Sequence, residues 1–144
     1  MEKRKKGQIS TEYLIVLGFV TFLVISLLAV SFFYVGQIKD NIKMNQVVTF
    51  GKKVVNSAET VFFAGAPSRA TVLLHMPQGF KDMSVEGADK KQLVISISTD
   101  TGLNTLSFSS AVPLELDESS FSYSEGLKRI RLVAELDKVV ISQV

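Results

Sequence analysis

Hydrophobic and polar positions follow three successive regimes along this chain. Positions 13–35, from Tyr13 to Val35, contain no Asp, Glu, Lys, Arg, His or Pro, and a basic cluster, Lys3-Arg4-Lys5-Lys6, lies just ahead of them. A helix over that stretch, at about 1.5 Å rise per residue, is about 35 Å long, enough to cross a hydrocarbon core of about 30 Å. Beyond it, Ile38, Ile42, Val47, Phe50, Val54, Ala58, Val61 and Phe62 recur at gaps of mostly three and four. That spacing is one apolar stripe of an amphipathic helix. Gly36 and Gly51 each weaken it by about 1 kcal/mol relative to Ala, and Gly36 is the expected bend point. No proline precedes Pro67, so one helix is predicted from about Ser10 to Ala64. Gly65-Ala66-Pro67 stops it, because Pro67 cannot continue a helix and biases Ala66 toward extended geometry.

From residue 68 the period changes to two. Ala70, Val72, Leu74 and Met76 alternate with Arg69, Thr71, Leu73 and His75. Leu93, Ile95 and Ile97 alternate with polar or opposite-facing neighbours. Leu106 and Phe108 follow the turn Thr99-Asp100-Thr101-Gly102. Val112, Leu114 and Leu116, then Ile130, Leu132, Ala134 and Leu136, repeat the pattern, and Lys138 to Val144 is expected to form a last edge strand. Six or seven short strands with turn residues between them predict an antiparallel sheet or sandwich. The fold class is therefore α+β. A long N-terminal helix occupies residues 8–66, and a small β head occupies 67–144. The stripe Val54, Ala58, Val61 and Phe62 is expected to pack on the sheet.

Charge sharpens this picture. The formal net charge is +2, but the first seven residues carry +3 (Lys3, Arg4, Lys5 and Lys6 minus Glu2), which leaves about −1 for the rest. The basic balance thus belongs to the leader, and a nucleic-acid partner is not expected. The basic cluster places the N-terminal end in the cytoplasm by the positive-inside rule. The apolar run is longer than the ~7–15 residues of an ordinary secretory signal, and the amphipathic Gln37-Ile38-Lys39-Asp40 follows it. Cleavage after the run is disfavoured; cleavage before it, at Gly7, stays open. With no cysteine, neither a disulfide framework nor a thiolate metal site is available.

Residues 6–17 resemble the class III signal peptide of archaeal type IV pilin-like proteins. The pattern of a small residue before Gln, then Ser, Glu, Tyr and Leu, is matched by Gly7, Gln8, Ser10, Glu12, Tyr13 and Leu14. The match joins that motif to its context, a basic leader before and a long apolar helix after. Gly65-Ala66-Pro67-Ser68-Arg69-Ala70-Thr71-Val72 and Pro77-Gln78-Gly79 look like segments that follow the long helix in many such pilins. The resemblance implies that a membrane-embedded prepilin peptidase removes residues 1–7 by cutting between Gly7 and Gln8. The mature chain would then have 144 − 7 = 137 residues, with Glu12 as its fifth. It further implies that an assembly platform withdraws the apolar helix from the cytoplasmic membrane and packs it with copies of itself or other pilins. The resulting surface filament would support adhesion.

The remaining candidates are weighed by their chemistry. Glu12 sits at the edge of an apolar helix, where an ionisable group is expensive. It reads either as an assembly contact, with the amine of a neighbouring Gln8 as partner, or as a first-turn carboxylate favoured by the helix dipole. His75 lacks recognisable catalytic or metal-binding partners and reads as a surface histidine. The serines of 107–110 and 119–124 show no nucleophile-elbow spacing. Lys90-Lys91 and Lys128-Arg129-Arg131 read as solvated strand edges or a basic patch. No enzyme activity, metal or cofactor is expected. The expected function is a structural pilin subunit; the alternative is a monomeric, single-pass membrane-anchored surface protein whose β domain binds a ligand or partner. Leader removal discriminates them, because an anchor needs no processing.

Overall fold

The computed structural model describes residues 3–144, with side chains from Ser10 onward. Met1 and Glu2 of the leader lie outside the described residues. A single helix, α1, spans Lys3–Phe63 and runs without interruption through Gly36 and Gly51. It begins before the expected Ser10 because Lys, Arg and Gln at 3–8 are all good helix formers and nothing among them stops a helix. At its far end Gly65 takes φ +86 and its amide donates to the Phe62 carbonyl at 3.0 Å, a left-handed residue closing the helix. The chain divides into an N-terminal unit ending at Lys39 and a compact unit, Asp40–Val144.

Seven strands follow α1. They are β1 (Arg69–Met76), β2 (Phe80–Glu86), β3 (Gln92–Thr99), β4 (Gly102–Ser109), β5 (Leu114–Leu116), β6 (Gly126–Ala134) and β7 (Val139–Gln143). They form a four-stranded sheet ordered β1-β6-β7-β5 and a three-stranded meander ordered β2-β3-β4. All pairings are antiparallel except β5 with β7, which is parallel. The second half of α1 supplies Val47, Phe50, Val54, Val55, Ala58 and Val61 to one buried cluster with both sheets. Leu74, Met76, Ile130, Leu132 and Ile141 come from the larger sheet, and Phe80, Met83, Leu93, Ile95 and Ile97 from the smaller. The apolar stripe is thus buried from Val47 onward, as its period predicted, and Phe62 packs half-buried against the same cluster.

Polar ties fix α1 against the loops. The Glu59 carboxylate accepts from the Ala111 amide at 2.8 Å. Lys43 bridges Asp40 at 3.8 Å and Asp100 at 3.5 Å, while the Asp100 amide donates to Asp40 at 3.2 Å. Gly51 has a positive purpose. A Cβ built there would stand within 2.6 Å of three Phe108 ring carbons, so its missing side chain lets α1 approach β4. The helical weakness legible in sequence is offset by close packing that a side chain would prevent.

Two expectations change in the structure, and one strand, β2, is added to those expected. β2 has no clear period-two signature because its register shifts between Phe80 and Asp82; this bulge moves Phe80 out of step with Met83 and Val85. β7 is not an edge, since β5 returns alongside it and places it inside the larger sheet. Leu136 does not continue the inward row of β6. It sits in the turn to β7 and is 94% exposed.

Because α1 supplies one wall of the core, a fragment cut at the 67/68 boundary loses Val47, Phe50, Val54, Ala58 and Val61. Each of the buried valines and Phe50 stabilises by about 1.5–3 kcal/mol, and domains of this size retain only about 5–15 kcal/mol in total. Residues 40–144 are expected to express as a folded, soluble unit and residues 68–144 to aggregate or remain unfolded. Circular dichroism and amide dispersion in a proton–nitrogen NMR spectrum check this; a cooperatively folded 68–144 fragment contradicts the shared core.

Tyr123 links the loop before β6 to the core. Its ring stacks on Phe80 at 5.7 Å and on Phe121 at 6.3 Å, and Phe80 meets Phe50 edge-on at 5.6 Å. Burial foremost, and then the neighbouring Asp82 carboxylate, push the Tyr123 hydroxyl above its ordinary pKa of 10.0. A raised acid pKa means the folded state holds its proton longer than the unfolded state. That stability is complete below about pH 10 and is lost as pH rises through the folded value. Tyr123→Phe is expected to flatten the alkaline fall in thermal stability that begins near pH 10; an unchanged fall assigns it to other groups.

Candidate functional site

The chemically distinctive region is the first half of α1. Every large apolar side chain from Tyr13 to Val35 is exposed, on all sides of the helix. Nothing within its own unit covers them, and by length and composition the helix is able to cross a membrane. A helix apolar all round must be buried by something else, either lipid or other protein. Two of its polar interruptions are satisfied within the helix. The Thr21 hydroxyl donates to the Leu17 carbonyl and the Ser26 hydroxyl to the Phe22 carbonyl, both at 2.8 Å, so neither needs water.

The ends of this segment are marked by aromatics. Tyr13 opens it, and Phe32, Phe33 and Tyr34 close it, all exposed. Tyr13 and Tyr34 are 21 positions apart, about 32 Å along a helix, and tyrosines favour the two interfaces of a bilayer. That spacing was readable in the chain, yet an unbroken apolar run hides it, because aromatic and aliphatic residues count alike in hydropathy.

The motif residues fall on this same helix. Ser10, Glu12, Tyr13 and Leu14 are exposed. Gly7 and Gln8 lie within helical backbone, and their side chains lie outside the described ones. Helix geometry puts Gln8 and Glu12 one turn apart on one face.

The compact unit offers little reactive chemistry. Among the described residues, no group of three or more His, Asp or Glu side chains is placed to hold a metal ion. A cavity of about 320 Å3 lies between the second half of α1 and β1, lined by Asn45, Gln46, Thr49, Phe50, Lys53 and His75 among others. His75 is exposed on β1, as its place in the alternation predicted. Lys138 holds Glu115 at 2.7 Å and Glu135 at 3.5 Å. This contact lowers the Glu115 pKa and raises that of Lys138. It is a tether at the surface between β5 and the turn from β6 to β7.

The basic residues regroup. Lys128 points away from Arg129 and Arg131 by strand alternation and donates to the Ser124 hydroxyl at 2.7 Å. Arg129 and Arg131 instead share the outer face of the larger sheet with Arg69, because Thr71 pairs with Arg131 and Leu73 with Arg129. Sequence reasoning separated Arg69 from that cluster by about sixty positions, and only the β1·β6 pairing joins them. Compared with protein-family models, curated proteins and solved structures, the chain matches none.

Proposed function

We propose that this chain is a pilin-like structural subunit, held in the cytoplasmic membrane as a precursor and assembled into a surface filament after its leader is removed. The observation that carries the reading is the division of α1. Its second half is buried in the core of the compact unit, while its first half exposes apolar side chains on every side. Such a helix needs lipid before assembly and other helices afterwards, so the same surface serves as anchor and as fibre core. The basic cluster Lys3–Lys6 keeps the leader in the cytoplasm, where a prepilin peptidase would reach it. Copies of the chain or other pilins are the partners, delivered by an assembly platform. The role is architectural rather than catalytic, with the β head coating the filament and carrying its adhesive surface.

Cleavage between Gly7 and Gln8 faces a helix that runs through that bond, and a protease works on extended backbone. Gly7 eases the local unwinding, since a helical glycine costs about 1 kcal/mol relative to Ala. Intact mass of the protein from its own host is expected to correspond to a chain beginning at Gln8, and Gly7→Val to remain full length. A wild-type chain that retains Met1 or Glu2 and sits as a monomer in the membrane supports the single-pass anchored protein instead.

A further inference from the structure

The larger sheet carries opposite charge at its two edges. On the β1·β6 side its outer face presents Arg69, Arg129 and Arg131, with Leu73 opposite Arg129 and Leu127 beyond it exposed at 59% and 67%. Arg129 and Arg131, two positions apart on one strand, are about 7 Å apart, and Arg69 is the diagonal neighbour of Arg131 at about 7–8 Å. Among the described residues none of these arginines has a carboxylate partner. Like charges this close oppose folding slightly, so the fold gains nothing from gathering them. β7, between the two edges, has no charged residue. At the opposite edge β5 carries Glu115, and the chain continues into exposed Asp117 and Glu118. Lys138 neutralises Glu115, which leaves Asp117, whose Oδ1 accepts from the Ser119 hydroxyl, and Glu118 as exposed carboxylates with no cationic partner among the described residues.

We infer that the partner of the arginine face is the Asp117–Glu118 edge of a second copy of this chain, and this rests on the filament reading. Charge complementarity chooses the occupant. The chain without its leader is close to neutral, so it has no general attraction for anions, yet it carries both halves of the match. The two halves lie on opposite edges of one sheet. A contact that uses one half from each copy is head-to-tail and leaves a free basic face at one end and a free acidic edge at the other, whereas a two-fold dimer would close both contacts at once and stop there. Head-to-tail contacts propagate into open helical arrays. The heads would thus be stitched along the filament surface, in addition to helix packing in its core.

The absence of cysteine makes the test clean, because introduced thiols are unique. Arg131→Cys with Glu118→Cys in one full-length chain, treated on intact cells with a short flexible bis-maleimide, is expected to give a ladder of dimers, trimers and higher species. Each single variant alone is expected to give none. Dimers from Arg131→Cys alone, or dimers of the double variant with no higher species, would reveal a two-fold contact and overturn the inference. Processed filaments without a ladder overturn it too, assign the arginines to another anionic partner, and leave the filament reading intact. An unprocessed monomeric wild-type chain sinks both. Charge reversal adds a check independent of cross-linking chemistry, since like charges facing each other at a contact are strongly disfavoured. Arg129→Glu with Arg131→Glu is expected to lower filament incorporation about tenfold, and co-expression with Asp117→Lys/Glu118→Lys subunits to restore it. Unchanged incorporation of the arginine variant overturns the contact.

Discussion

Glu12→Gln and Glu12→Val are expected to insert in the membrane and be processed like wild type, but to enter filaments at no more than about a tenth of the wild-type level. On the filament reading proposed above, Glu12 of the precursor would lie at the cytoplasmic end of the apolar run, where water and headgroups solvate it. In a filament it would move among packed apolar helices, where an unpaired charge costs several kcal/mol. The proposed cleavage after Gly7 would create the compensating charge, because Gln8 would then carry a free amine. Breaking a buried pair by removing one partner costs about 3–5 kcal/mol, and each 1.4 kcal/mol is tenfold in an equilibrium, so a tenfold loss is the conservative expectation. α1 is helical through both residues, which sets amine and carboxylate one turn apart on one face. A neighbouring subunit shifted along the axis can thus exchange partners with it, and the pair would fix axial register. The measurement is the mutant-to-wild-type ratio in sheared filaments from cells expressing both. A ratio matching that in the membrane makes Glu12 a helix-start carboxylate only. Intact mass gives a separate test, since cyclised Gln8 has no amine charge to offer.

The second large effect concerns the head. Gly79→Ala is expected to lower stability by about 2–4 kcal/mol, combining a strained backbone of about 1–3 kcal/mol with the overpacking of a closed turn. Gly79 sits at φ +88, where a side chain is strained whatever the space. There is no space either, because a Cβ would overlap the carbonyl oxygen of Ser98. That oxygen belongs to β3, whose Ser98 amide donates back to the Gly79 carbonyl at 2.8 Å. The turn from β1 to β2 is thereby latched onto the meander, and neither backbone is able to retreat without losing the hydrogen bond. Thermal unfolding of the 40–144 unit reads the change, with a fall of about 10 °C or more expected. Gly65→Ala is the control. It shares a positive φ, +86, but a Cβ there meets nothing within 4 Å. Equal losses at both positions reduce the effect to backbone strain alone.

The 13–35 helix was legible in the chain because it depends on no partner. Each of its residues is apolar whichever way it faces, so neither register nor neighbours need to be known. Amphipathic β1 and β3 were legible for a related reason: a strand with one buried face writes period two into its own sequence. Where that local record is broken, sequence reading lost the element. The bulge at Phe80–Asp82 erased the period of β2. β7 looked like an edge because it comes last, yet in the chain nothing says that three residues at 114–116 will pair with it in parallel. Leu136 kept the alternation going into a turn, where apolar identity no longer means burial. Gly51 read as a flaw until Phe108 was seen to occupy the space it leaves. Likewise the joining of Arg69 to Arg129 and Arg131 was decided only by β1 pairing with β6. Local composition is written residue by residue, whereas which strands neighbour one another is settled by the packing of the whole core. The sequence by itself thus determined the apolar helix and the class of the head, and tertiary structure alone decided the order of its strands and the charges gathered on its faces.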